Sequence, residues 1–286
     1  MRYTHVKILA LSVLTLNILI ADPVSVEGAE EIAEKSASAG AGDVAKKLAN
    51  PVAAMISVPF QFNYRPNLGP HDGAEWLTNV QPVIPIDLND EWNLISRTII
   101  PLTNKYSVPT DSNRHTKVAD IVQSAWLSPK EPTESGWIWG AGAAFLIPSG
   151  SEISAKKWGA GPTGLALKQD GPWTYGGLFN HIWDVGGSDI IGADGNVANK
   201  VNQTFMQPFL TYITPKAVTF ALNTESTYDW ERKQWTVPVN FTITKVVKVG
   251  SQIMSVGGGV TYWAEAPENG PEGLGIRILC TFIFPK

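Results

Sequence analysis

Past its first 29 residues the chain has no long apolar run. A helix that crosses a bilayer needs about 20 consecutive apolar residues, so a helical inner-membrane protein is excluded. Cysteine is almost missing: Cys280 stands alone, which forbids an internal disulfide framework even in an oxidising compartment. Its place on an apolar face reads as a small hydrophobe. Charge is sparse, at 17% of residues with a formal balance of −4. Without a basic patch interleaved with aromatics, nucleic acid is not an expected partner. There is no GxSxG elbow, no HExxH and no other metal-ligand spacing, so neither a cofactor nor a metal is expected. His71, His115 and His181 are the histidines outside the N-terminal leader, with Asp72 beside the first and Asp111 and Ser112 preceding the second. Acid–base or nucleophile pairs in loops are the catalytic alternative; the expectation is that the chain is not an enzyme. The run Gly257 to Gly259 sits in a strand with no helix behind it, as a packing or curvature feature rather than a phosphate cradle.

What is present is alternation. Ile56, Val58, Phe60 and Phe62 alternate with Ser57, Pro59, Gln61 and Asn63; Trp235, Val237, Val239, Phe241 and Ile243 alternate with Gln234, Thr236, Pro238, Asn240 and Thr242. A period of two puts each set on one side of a sheet. The pattern predicts strands over 54–64, 76–87, 92–102, 118–127, 136–147, 161–169, 173–183, 204–214, 217–228, 234–245, 252–263 and 274–284. A soluble β-sandwich alternates in the same way, so the connections must decide. With the N-terminus in the periplasm, the inward turns are short, and the outward loops over 65–75, 103–117, 148–160, 184–203 and 264–273 are long; 229–233 is the exception. An even strand count with this asymmetry is the pattern of bacterial outer-membrane barrels. The predicted fold is therefore all-β, a closed antiparallel transmembrane β-barrel of about 12 strands with a short helical segment before it.

Tryptophan supports the barrel independently. Trp76, Trp92, Trp126, Trp137, Trp173, Trp183, Trp230, Trp235 and Trp263 fall where a strand meets a connection, as expected of amphipathic rings in a membrane girdle. Residues 1–29 read as a secretory signal: Arg2, His5 and Lys7 precede the apolar run Ile8 to Ala21, with cleavage after Gly28 or Ala29. Residues 30–50 are rich in Ala, Glu, Lys and Ser; Asp43 can cap a short helix through Leu48, ended by Asn50-Pro51. This segment is either a solvated periplasmic lead-in or a small plug in the barrel mouth, and 51–286 is the barrel.

Placing the apolar face outward puts Gln61, Asn63, Asn79, Gln81, Arg97, Asp120, Asn223, Glu225, Asn240, Thr242, Thr261 and Arg277 in the lumen. Polar interiors suit a water-filled passage, and charges there tune selectivity. Arg97 and Arg277 against Asp120 and Glu225 give a lumen without one dominant sign, or charges that pair across a packed interior. Gln207 and His181 are ambiguous in register. On the third strand Arg97 is kept inside with Ile95 and Ile99, leaving Ser96 and Thr98 outward, because a lipid-facing arginine costs about 2–4 kcal/mol. The expected function is an outer-membrane channel for small solutes, with bilayer lipid, the solute and the barrel assembly machinery as partners. The alternatives are a non-conducting anchor or surface-interaction barrel using 103–117 and 184–203, or a soluble periplasmic sandwich that binds a ligand.

Several stretches carry a family resemblance: NPVAAMISVPFQFNY from Asn50, NVQPVIPIDL from Asn79, NLISRTIIPL from Asn93, ADIVQSAWLSP from Ala119, KWGAGPTGLAL from Lys157, GPWTYGGLFNHIWDVGG from Gly171, QPFLTY from Gln207 and the terminal FIFPK. In these the chain resembles the bacterial outer-membrane family labelled "transporter" or, misleadingly, "neuromedin U", grouped with proteins of meta-pathway phenol degradation. The resemblance implies an outer-membrane barrel that passes small organic or aromatic molecules. It implies no site residues and no particular substrate.

Overall fold

The computed structural model describes residues 40–106 and 116–284. The chain divides into two units, Met1–Ser36 and Ala37–Lys286, and every described residue belongs to the second. Its strand segments are β1 (Ile56–Leu68), β2 (Gly73–Val80), β3 (Val83–Asp87), β4 (Trp92–Tyr106), β5 (Thr116–Val118), β6 (Ile121–Pro129), β7 (Trp137–Ile147), β8 (Lys157–Asp170), β9 (Trp173–Gly187), β10 (Asn202–Ile213), β11 (Val218–Thr224), β12 (Ser226–Asp229), β13 (Gln234–Val249), β14 (Gln252–Glu265) and β15 (Leu274–Phe284). Three pairs, β2/β3, β5/β6 and β11/β12, are single strands with an interruption, so the sheet has 12 strands. Each pairs antiparallel with its sequence neighbours, and β1 pairs β15 from Ile56↔Phe284 to Tyr64↔Ile276. The sheet therefore closes on itself, and no edge is left unpaired among the described residues.

The interruptions have a common cause. Proline has no N–H for the ladder, and each break holds one or faces one. Pro82 lies between β2 and β3; Ala119 donates to the Pro101 carbonyl, and Glu225 to the Pro238 carbonyl. At β5/β6 the register also slips: Leu102↔Val118 and Ile99↔Val122 set three residues, 119–121, opposite two. That extra residue is a β-bulge, which re-aims the side chains around Asp120.

The strands run further than alternation predicts. β1 continues to Leu68 through a register shift after Arg65, and β2 begins at Gly73, so the loop expected over 65–75 shrinks to 69–72. Arg65 Nη1 reaches Glu75 Oε2 across this extension at 3.2 Å. The long connections 148–156, 188–201 and 266–273 share one end of the barrel; the tight Gly171-Pro172 turn, with Gly171 at φ 54°, lies at the other. Within the loop 188–201, the Asn196 side-chain and backbone N–H groups bond Asp194 and hold its carboxyl below the usual carboxylate range.

A helix over residues 40–48 precedes β1. Asp43 is therefore inside the helix and does not cap it, while the chain leaves the helix at 49–50, before Pro51. Ala45 and Leu48 pack with Ile213, Ala217 and Val246 at the short-turn mouth, and Gln169 Nε2 donates to the Lys46 carbonyl at 2.9 Å. No helix among the described residues is long and apolar enough to cross a membrane.

Candidate functional site

The barrel is inverted relative to a globular core. Its outer face carries exposed large apolar side chains, among them Ile84, Leu127, Phe145, Phe179, Leu222, Phe241 and Ile278. Its inner face buries polar ones: Ser57, Gln61, Asn63, Gln81, Thr163, Asn240, Thr242, Ser255, Thr261 and Arg277. Only a barrel whose outside meets hydrocarbon gains from that arrangement.

The interior has two different walls. Along β4 to β9, Ile95, Trp126, Leu165, Leu167 and Leu178 form an apolar cluster into which Val52, from the segment before β1, inserts. Trp126 Nε1 donates to Thr163 Oγ1 at 3.0 Å, so its one polar atom is satisfied. On the facing wall a chain of hydrogen bonds runs at mid-depth. Arg97 Nη2 donates to Gln81 Oε1 (2.6 Å), Gln81 Nε2 to Gln61 Oε1 (3.2 Å) and Gln61 Nε2 to Asn63 Oδ1 (3.2 Å). Asn63 Oδ1 also accepts from Arg277 Nε at 2.8 Å, and the Arg277 fork holds both Glu225 oxygens at 2.9 and 2.8 Å. Beside this seam, Thr261 donates to Asn240 (2.7 Å) and Asn240 to Asn223 (2.8 Å). The β11/β12 interruption is what aims Glu225 inward, and β15 brings Arg277 to it.

A cavity lies on either side of the seam, and the two share no lining residue. Towards the long loops, a cavity of about 380 Å³ is lined by Arg65, Phe205, Glu225, Trp263 and Arg277. Towards the short turns, one of about 300 Å³ lies under the helix and includes Lys47, Leu48, Gln81, Arg97, Gln207 and Asn223. Glu225 thus pairs with Arg277 and also lies in the fields of Arg97 and Arg65.

The structure places the residues singled out by sequence as follows. Gln61, Gln81, Arg97, Asn223, Glu225, Asn240 and Arg277 meet at the seam. Asp120 does not: its carboxylate accepts the backbone N–H groups of Ser149 (3.0 Å) and Ala155 (2.7 Å) and fastens the loop 148–156. It fastens that loop instead of meeting Arg97, so its expected place near Arg97 is corrected. Gln207 lines the short-turn cavity. His181 faces outward, its ring 5.1 Å from Trp183 and its Nδ1 2.8 Å from Thr204 Oγ1. His71 and Asp72 are exposed in a turn, and His115, Asp111 and Ser112 lie outside the described residues.

Two of the expected girdle tryptophans point inward instead. Trp126 is fully buried in the apolar wall, and Trp263 covers Gly275, where an added Cβ would lie 2.6 Å from its ring. Trp76, Trp137, Trp173, Trp183 and Trp230 are exposed, as are Trp139 and Trp158, which sequence position did not single out. Trp92 stacks on Trp139 at 5.9 Å and Trp173 on Tyr212 at 4.8 Å near the short turns. Near the long loops Tyr64 meets Trp76, and Tyr228 meets both Trp230 and Trp235.

The outer face carries a polar notch on β4 and β6. Thr98 Oγ1 donates to Gln123 Oε1 (2.5 Å), and Gln123 Nε2 donates to Ser96 Oγ (3.0 Å). The outward hydroxyls of β4 are thus satisfied by an outward amide on β6.

No protein-family model and no curated protein matches the chain. Among solved structures it is similar to the COG4313 outer membrane channel from Pseudomonas putida F1, with a TM-score of 0.59 at 14% identity over 81% of this chain and 96% of that one. It is also similar to the NanC porin, with a TM-score of 0.49 at 13% identity over 79% of this chain and 98% of that one. The first of these likenesses supports the same fold, a closed antiparallel 12-stranded barrel.

Proposed function

We propose that the chain is an outer-membrane channel that passes small solutes along the polar wall of its lumen. The observation that carries this is the inverted barrel: an apolar exterior around a hydrogen-bonded polar seam with a cavity on either side. The short turns and the N-terminal segment face the periplasm and the long loops face outward, the usual orientation of such barrels. The leader over 1–29 is removed, the assembly machinery inserts the barrel, and outer-membrane lipid contacts its apolar belt and aromatic rows. The likeness to the P. putida channel supports the same reading, as does the resemblance to the "transporter" family. Arg97, Glu225 and Arg277 set selectivity, because charge in a confined passage is poorly screened. The helix over 40–48 narrows the periplasmic mouth. One observation favours a non-conducting anchor instead: the seam and helix leave two separate cavities. Conductance of purified full-length protein in planar bilayers separates the two. Ohmic channels that close when residue 48 is cross-linked to residue 213 support the channel; a silent, fully inserted barrel supports the anchor.

A further inference from the structure

We propose that the short-turn cavity is a binding site for a small organic anion, a carboxylate on a compact apolar body, with Arg97 as its anchor. The proposal rests on reading this cavity as part of the solute path. The charged residues that line it are Arg97 and Lys47, both cations; among the described residues no aspartate or glutamate lines it. The other inward arginines are already matched: Arg65 faces Glu75, and Arg277 is clamped to Glu225. Arg97 hydrogen-bonds the neutral Gln81 oxygen; Glu225 acts on it only through its field, and no carboxylate among the described residues stands within ion-pair distance of it. One of its five N–H groups is used there, and the rest of the fork is available to a planar carboxylate, the geometry it binds in bidentate fashion.

The remaining lining supplies the other half of the ligand. Val83, Leu178, Phe209 and Leu279 offer apolar contact, while Gln207 and Asn223 offer amide groups on the same lining. A volume of about 300 Å³ is at the small end of ligand sites, which suits a single ring or a short chain rather than a lipid or an oligosaccharide. Lys47 sits on the exposed face of the helix at the mouth, where it draws anions in without holding them. A mixed surface of this kind favours an amphiphilic anion over a neutral hydrocarbon or an inorganic ion.

The test compares two probes of the same shape, benzoate and benzyl alcohol, titrated calorimetrically against full-length protein in lipid nanodiscs, with nitrate as the inorganic control. The expected result is benzoate binding at least tenfold tighter than either other probe. Arg97→Gln should erase that preference, and Lys47→Gln should weaken benzoate about twofold while keeping it. If Arg97→Gln does not fold, judged by heat-modifiable gel migration, Arg97→Lys replaces it and should weaken benzoate at least threefold by losing the fork. Equal binding of benzoate and benzyl alcohol, binding of nitrate as strong as benzoate, or an unchanged preference in the Arg97 variant would each overturn the proposal. Conductance is recorded separately. A barrel that binds benzoate but does not conduct keeps the site and loses the channel; one that conducts but shows no preference does the reverse.

Discussion

Replacing Glu225 by glutamine tests the seam with the least steric change. Arg277 is 5% exposed, and its fork and Nε are all engaged. Glutamine keeps the shape and one acceptor, so the perturbation is almost purely electrostatic. A guanidinium and a carboxylate about 4 Å apart interact by about 4 kcal/mol at an effective dielectric of about 20. The remaining neutral hydrogen bond returns about 1 kcal/mol. The Glu225 side chain is 24% exposed, so water recovers a further share. The expected destabilisation is therefore about 2–3 kcal/mol, somewhat below the roughly 3–5 kcal/mol for breaking a wholly buried pair. The seam also gains one net positive charge, which should move the reversal potential in a salt gradient toward anions. The assay is urea unfolding in nanodiscs followed by tryptophan fluorescence, together with bilayer recordings on the same preparation. Removing both charges as Glu225→Gln with Arg277→Gln should recover part of the lost stability, since no buried charge is then left alone. A single variant that unfolds at the wild-type midpoint and keeps the wild-type reversal potential would refute both the pair's structural role and its place in the conduction path.

Much of the barrel was legible because lipid outside and polar groups inside keep the two-residue period clean along most strands. The parity of β4 put Arg97 with Ile95 and Ile99, and the three lie on one inner face. What parity could not foresee was a change in the count. Three residues opposite two at 119–121 turned Asp120 to the loop 148–156, and nothing in a local run of residues marks such a bulge. Trp126 and Trp263 depart from the expected girdle for a different reason: nearness to a strand end does not fix which face a ring takes. Trp126 shares parity with Ser124 and Ser128, and Trp263 with Thr261, all buried inside; that signal was available. On β8 the rule that apolar means outward inverts. Leu165 and Leu167 are buried within, while Ala166 faces out, because the segment around Val52 needs an apolar surface to lie on. Such a plugged half-core depends on contacts between residues far apart in sequence.

Two further variants test the assignment of faces. Gln123→Ala removes the shared partner of Ser96 and Thr98 on the outer face, leaving two hydroxyls exposed to hydrocarbon. The expected cost is about 1–3 kcal/mol in unfolding free energy with no change in conductance, and an altered conductance would mean that the notch faces the lumen. The pair Trp126→Ala and Trp139→Ala separates inside from outside most sharply. Trp126 is wholly buried, bonded to Thr163 and packed in the cluster that holds Val52. Truncating it leaves a large cavity, at about 3–5 kcal/mol, and loosens the segment anchored by Val52, so single-channel conductance should rise. Trp139 is 37% exposed on the outer face, stacked edge-on against Trp92. Its loss forfeits an aromatic pair of about 0.5–1.5 kcal/mol plus partial burial, and it touches nothing in the lumen. Conductance should therefore stay as it is, and the smaller effect should show mainly as slower insertion into bilayers. If Trp139→Ala were the variant that opened the pore, or the more destabilising of the two, the inner and outer faces of β6 and β7 would have to be exchanged, and the apolar wall with them.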